Sequence, residues 1–222
     1  MRVAPLVALG LLSMLAGCQS LSWSEKAAES APQRLQGELS RNGAGLQLRP
    51  CQGGAVQPVD ADESLGLPFV LARLQQEHPG PVFADLGGRA APAAGKQPAG
   101  LRASQLYRLQ PGLQACSDAQ FAKLIARAAG NAPAWSVSVS PQGMILERSG
   151  AKPQALPYVE ERLPDGSMSF TSEANGHRLE LWLAPGRCAD SQSGALSHLQ
   201  ARLILDGAAP LTGCAAQGGL RD

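Results

Sequence analysis

From Trp135 to Leu205 apolar residues recur at every second position, and turn-forming groups interrupt them at short intervals. Trp135, Val137 and Val139 share one parity against Ser136, Ser138 and Ser140. Met168 and Phe170 alternate with Ser169 and Thr171. His177, Leu179, Leu181 and Leu183 oppose Arg178, Glu180 and Trp182, and Ala201, Leu203 and Leu205 oppose Arg202, Ile204 and Asp206. Successive side chains of a strand point to opposite faces, so each segment has one face for a core and one for water. Pro141-Gln142-Gly143, Pro164-Asp165-Gly166 and Asn175-Gly176 are the turns. Short antiparallel strands at this spacing make a small barrel or sandwich. The 25 glycines and 17 prolines among 222 residues suit a chain of turns better than one of long helices.

The first half reads similarly. Leu35 to Leu39 is a first strand, Asn42-Gly43 a tight turn, and Leu46 and Leu48 alternate with Gln47 and Arg49. Further strands are expected at Ala55 to Val59, Pro81 to Gly88 and Leu101 to Leu109, the last with Leu101, Ala103, Gln105, Tyr107 and Leu109 on one side. Leu67, Val70, Leu71 and Leu74 have helical spacing within residues 65–76, with Pro68 in the first turn. A second helix is expected over Ser117 to Gly130. Ser117 and Gln120 form a capping box, Phe121, Leu124, Ile125 and Ala128 form one face, and Gly130 is the stop. The fold class is therefore mostly β, with two small antiparallel barrel- or sandwich-like domains joined by a short helix. The expected divisions are a signal peptide at 1–17, a lipid-anchored tether at 18–33, an N-terminal β-domain at 34–118, a C-terminal β-domain with the linking helix at 119–216, and a tail at 217–222.

The signal peptide is read from Arg2, the apolar run Val3 to Leu15, and Leu15-Ala16-Gly17-Cys18, a lipobox. The run is short for a membrane span. Cleavage there leaves Cys18 first, carrying a diacylglyceryl group on its thiol and an acyl chain, palmitate in type, on its amine. Each buried methylene contributes about 0.8 kcal/mol, so three chains hold where one does not. Trp23 sits in the polar tether, near the lipid interface. Four cysteines remain: Cys51, Cys116, Cys188 and Cys214. An exported chain meets an oxidising compartment, so two disulfides are expected. Three connectivities exist, and Cys51–Cys116 with Cys188–Cys214 is favoured because each pair then lies within one domain. No pair has the close spacing of thiolate metal ligands, and no metal or other cofactor is expected.

The chain has 19 basic and 18 acidic side chains, and loss of Arg2 brings the formal balance to zero. Without a basic excess, and with aromatics at 4%, nucleic acid is not an expected partner. Asp190, Ser193 and His198 invite a Ser/His/Asp reading, but no Gly-x-Ser-x-Gly elbow accompanies them. A polar turn beside a disulfide accounts for them better. Glu160 and Glu161 are strand neighbours and point apart, which does not suit an acid–base pair. His78, His177 and His198 are too dispersed for a metal motif. Trp135 has core parity. Trp182 has the opposite parity to Leu179 and Leu181, so with Tyr158 it is the candidate contact surface.

Gly130-Asn131-Ala132-Pro133-Ala134-Trp135-Ser136-Val137 resembles the Gly-Asn-Glu-Pro-Phe-Trp-x-Val signature of uncharacterised Gram-negative envelope proteins. Cys188-Ala189-Asp190-Ser191-Gln192-Ser193-Gly194 and Gly213-Cys214-Ala215 are similar to that family's C-terminal part. The resemblance covers roughly residues 120–216, with Ala132 and Ala134 in place of Glu and Phe. The N-terminal half is more weakly similar to NlpE-like lipoproteins, which implies a small β-barrel. The Cys-x-x-Cys pair that some of them link to copper or stress signalling is absent here, where Cys51-Gln52-Gly53-Gly54 stands. Gln19 rather than Asp after Cys18 implies, by resemblance to Gram-negative lipoproteins, sorting to the outer membrane. The expected function is a lipid-anchored, non-enzymatic outer-membrane protein facing the periplasm, which binds a periplasmic protein or small ligand in an envelope-stress setting. The alternatives are an inhibitor of a hydrolase such as lysozyme and, less favoured, a hydrolase using the 190–198 loop.

Overall fold

The structure is a computed structural model that describes residues 30–43, 45–93, 95 and 98–220. Cys18 and Trp23, and with them the expected signal peptide and lipid anchor, lie outside the described residues. The protein is mostly β, as the alternation predicts.

The N-terminal half starts with β1 (Pro32–Asn42) and β2 (Gly45–Pro50), which meet at the expected Asn42-Gly43 turn, where Gly43 has φ +58°. Next in the chain are β3 (Gln57–Ala61), the helix α1 (Leu67–Glu77), β4 (Val82–Ala91) and β5 (Gly100–Pro111). β1 pairs with both β2 and β4, β2 with β3, and β4 with β5. Parallel pairing of β3 with β5 closes the ring. This is the connectivity of an OB-type barrel. Leu67, Val70, Leu71 and Leu74 of α1 are buried, as their spacing predicts, in one core with Leu39, Leu48 and Leu101.

The strand over Leu101 to Leu109 departs from straight alternation. Asp85 faces Arg108 but Leu86 faces Leu106, and Gly87 faces Gln105 but Gly88 faces Ala103. Tyr107 and Ser104 are therefore extra residues, and each reverses the parity of the strand beyond it. Leu106 is buried and Gln105 is exposed as a result.

The expected helix over Ser117 to Gly130 does not form. Short 3-10 turns occupy Gln114–Ser117 and Phe121–Lys123, and Ala126–Asn131 is the strand β6. Ser117 Oγ donates to the Gln114 carbonyl, and the Asp118 carboxylate accepts from the Gln120 N–H. Ala126, Ala128 and Gly130 are buried alternately. Such small residues fit either period, and pairing with strands on both sides decides for the strand.

The C-terminal half continues with β7 (Ala134–Ser140), β8 (Gly143–Arg148), β9 (Gln154–Leu156), β10 (Val159–Arg162), β11 (Met168–Ala174), β12 (His177–Ala189), β13 (Leu196–Leu205) and β14 (Leu211–Gln217). Their order across the sheet is β9-β8-β7-β6-β14-β13-β12-β11-β10. The sheet curls around one core that includes Trp135, Val137, Phe170, Leu181 and Leu203. Its edge strands β9 and β10 are joined by residues 157–158, so the chain itself bridges the gap. Residues 217–220, expected as a tail, are tied in. Gln217 ends β14, and the N–H groups of Gly218, Gly219 and Leu220 donate to the carbonyls of Ile125, Phe121 and Leu124.

The halves meet along a polar seam. Arg34 on β1 clamps Asp85 on β4 through two 2.7 Å hydrogen bonds, from Nε to Oδ1 and from Nη2 to Oδ2. The same guanidinium donates to the carbonyls of Gly218 and Gln217, and lies over the Tyr107 and Phe121 rings at 4.0 and 4.9 Å. Leu196 and Ser197 of β13 pair with Leu109 and Arg108 of β5. Arg187 Nη2 reaches the Leu65 carbonyl at 2.8 Å. Both favoured disulfides are formed: Cys51–Cys116, with Cα atoms 5.1 Å apart, and Cys188–Cys214, at 5.4 Å.

Candidate functional site

On its outer face the C-terminal sheet carries a groove of about 690 Å³. Register builds its floor. Trp182 on β12 lies opposite Arg202 on β13 and Ser169 on β11, and Arg202 lies opposite Thr212 on β14. One step along, Gln200 lies opposite both Ala184 and Cys214. Outward parity puts these side chains away from the leucines of the core. The groove walls are the turn between β6 and β7 and residues 187–191.

The walls are braced against each other. Asn131 Nδ2 donates to Asp190 Oδ2 at 2.6 Å. Asp190 Oδ1 accepts from the Ser193 N–H, the Ser193 Oγ and the Gln192 N–H. Burial opposes ionisation of Asp190, but these donors outweigh it and hold the carboxyl below the usual range. The Cys188–Cys214 bridge fixes the same wall to β14. Gly130 is required here: a Cβ would lie 2.4 Å from both the Thr212 carbonyl oxygen and Trp135 Nε1. A cis Ala132–Pro133 bond closes the turn.

Trp182 is 37% exposed. The Arg178 hydrogen bond at 2.7 Å, with smaller help from Trp182 and the Arg202 charge, holds the Glu180 carboxyl below its ordinary range. Arg202 is exposed and makes no hydrogen bond or ion pair among the described residues. With Asp190 engaged by internal donors, the groove presents an indole face and the Arg202 guanidinium, whose charge also acts on Glu180, beside amide and hydroxyl groups. That arrangement can stack, accept a carboxylate and exchange hydrogen bonds.

Of the two residues expected to share a contact surface, Trp182 faces outward into the groove. Tyr158 packs inward, edge-on to Phe170 at 5.5 Å and against the core. The register explains this, because Ser169 pairs with Trp182 while Phe170 pairs with Leu181 on the other face. Alternation alone puts Arg202 on the outer parity, but it does not show that Arg202 faces Trp182; that depends on register between strands separated by a long turn.

The residues of the Ser/His/Asp reading are not brought together. Ser193 Oγ donates to Asp190, which makes a turn. His198 Nδ1 bonds the Tyr107 carbonyl at 3.0 Å, and its ring is edge-on to the Tyr107 ring at the seam. Burial, with help from the Arg34 charge, pushes the His198 pKa down. His177 meets Asp206 at the surface, far along the sheet from His198. His78 caps α1 near Gly194. Glu160 accepts from Arg162 on its own strand face. Among the described residues no group of three or more His, Cys, Asp or Glu is placed to hold a metal. No family model, curated protein or solved structure matches this chain.

Proposed function

We propose that this chain is a lipid-anchored, non-enzymatic protein of the outer membrane that binds a periplasmic protein or small ligand in the groove beside Trp182. One observation carries the reading. Three segments far apart in sequence, around residues 130–132, 187–191 and 212–214, build one groove whose floor holds an outward indole and an exposed guanidinium. These are the segments that resemble the envelope-protein signature. Ala132 lines the groove where that signature has Glu, so a carboxylate is lost from the wall and the positive character of Arg202 is favoured. Two formed disulfides support an oxidising compartment for the folded part.

Mild crosslinking of the anchored protein in its envelope, with capture afterwards, tests the reading. The expected result is a partner or ligand set distinct from that of an inert lipoprotein and lost in Trp182→Ala and Arg202→Glu. A capture profile equal to the inert control, or unchanged in both variants, overturns it.

A further inference from the structure

A second site lies at one end of the same curled sheet and is independent of the groove. The turn between β11 and β12, the last residues of β13 and the ends of β8 and β9 surround a recess of about 70 Å³. Leu146, Leu156, Leu179 and Leu205 line it. Ser172 reaches it from an inward position of β11, two residues beyond Phe170. Ser172 is 2% exposed, and its Oγ has no hydrogen-bond partner. An apolar side chain would serve the fold better at this point, because a buried hydroxyl left unpaired is destabilising. Its presence is accounted for when something in the recess accepts from it.

The rim supplies the second requirement. The Asp206 carboxylate is occupied, accepting from the Arg178 N–H at 2.8 Å and lying 2.9 Å from His177 Nδ1. Arg178 is engaged by Glu173 and Glu180. Arg148, also lining the recess, makes no side-chain hydrogen bond or ion pair among the described residues. The recess thus has an acceptor-seeking hydroxyl inside, four leucines as walls and, outside, the Arg148 cation, whose charge also acts on Asp206 across the rim. Its volume is about 70 Å³. That is too small for a drug-sized ligand and larger than one water needs.

We propose that this recess binds a short aliphatic oxo- or hydroxy-carboxylate. Its inner oxygen accepts from Ser172 Oγ, its methylenes lie against the four leucines, and its carboxylate stays at the rim with Arg148. A charge-assisted bond there leaves the anion hydrated on its outer side. No covalent step is involved.

The test uses the full chain with both disulfides formed, 4-oxopentanoate as probe, and pentanoate and pentan-2-one as comparators. Calorimetry reads affinity, and leucine-methyl resonances report the place of binding. The expected result is perturbation of the Leu146, Leu156 and Leu179 methyls, with 4-oxopentanoate preferred over pentanoate by about tenfold. Ser172→Val abolishes that preference, and Ser172→Ala reads the same difference should the valine variant fail to fold. Arg148→Gln weakens both acids, removes their salt dependence and leaves pentan-2-one unchanged. Saturating probe without perturbation of these methyls means a recess holding water only, and overturns the proposal. A preference that survives loss of the Ser172 hydroxyl does so too.

Discussion

The two halves bury their apolar residues in different ways. The N-terminal barrel closes its own ladder through the parallel β3–β5 pairing and adds a helix to its core. Its outer face over β1, β4 and β5 is then partly covered by the seam, where Arg34 and Asp85 have side chains only 6% and 1% exposed. The C-terminal sheet closes by a chain link between its edge strands, and it leaves both an outer groove and an end recess open. Two sheets with similar alternation therefore differ in what remains accessible: one gives part of its outer face to the neighbouring half and keeps a groove of about 360 Å³ there, and the other leaves a groove of about 690 Å³ open.

The sharpest way to break this contrast is at the seam. Arg34→Ala leaves Asp85 buried without its cation and is expected to cost about 3–5 kcal/mol, read as a loss in denaturant unfolding. Cleavage at the joint over residues 112–124 should rise with it, because Arg34 also holds the 217–218 carbonyls. An effect below about 1 kcal/mol would place this pair with ordinary surface ion pairs.

The disulfides come next. Loss of Cys51–Cys116, spanning 65 residues, should cost about 4 kcal/mol, and loss of Cys188–Cys214, spanning 26, about 3.5 kcal/mol in the chain-entropy model. Double serine variants compared by urea unfolding check the order. Only the second pair should also alter ligand capture, since it braces the groove wall.

A smaller effect is expected with pH. Burial lowers the His198 pKa in the fold, so the unfolded chain takes up the proton first on acidification. This contribution is complete above about pH 6.5 and is lost as pH falls through the folded value. Replacing His198 with Gln should flatten the stability profile below neutrality without changing its shape above neutrality. A wild-type melting temperature that does not fall between neutral and mildly acidic pH would count against a buried neutral imidazole.

Trp182→Ala should change stability least, by roughly 0.5 kcal/mol, because the ring lies on the outer face. It should change capture most. A variant that melts several degrees lower would move Trp182 from the groove to the packing of the fold.

Much of the architecture was legible from alternation. Leu46 and Leu48, Trp135, Val137 and Val139, and the row Leu179, Leu181 and Leu183 are buried where their parity puts them. The α1 spacing was equally readable. Residues 117–130 were not, because a capping box and a weak apolar face are local signals. The β6 pairings with β14 come from the far end of the chain, where Gln217 meets Ala126. Bulges at Ser104 and Tyr107 had no sequence mark either. Of the site, Trp182 could be seen as outward and the 190–193 segment as a turn. Tyr158 could not be placed, since it lies in the link between two edge strands where parity does not apply.

By itself the sequence determined the strand class, the short helix of the first half and which leucines turn from water, because period and turn chemistry act between near neighbours. Tertiary structure alone decided the register that sets Trp182 opposite Arg202, the clamp of Arg34 on Asp85, and the recess around Ser172. Each of these joins residues whose spacing along the chain carries no information about their distance in space, and only the closing of the sheet brings them together.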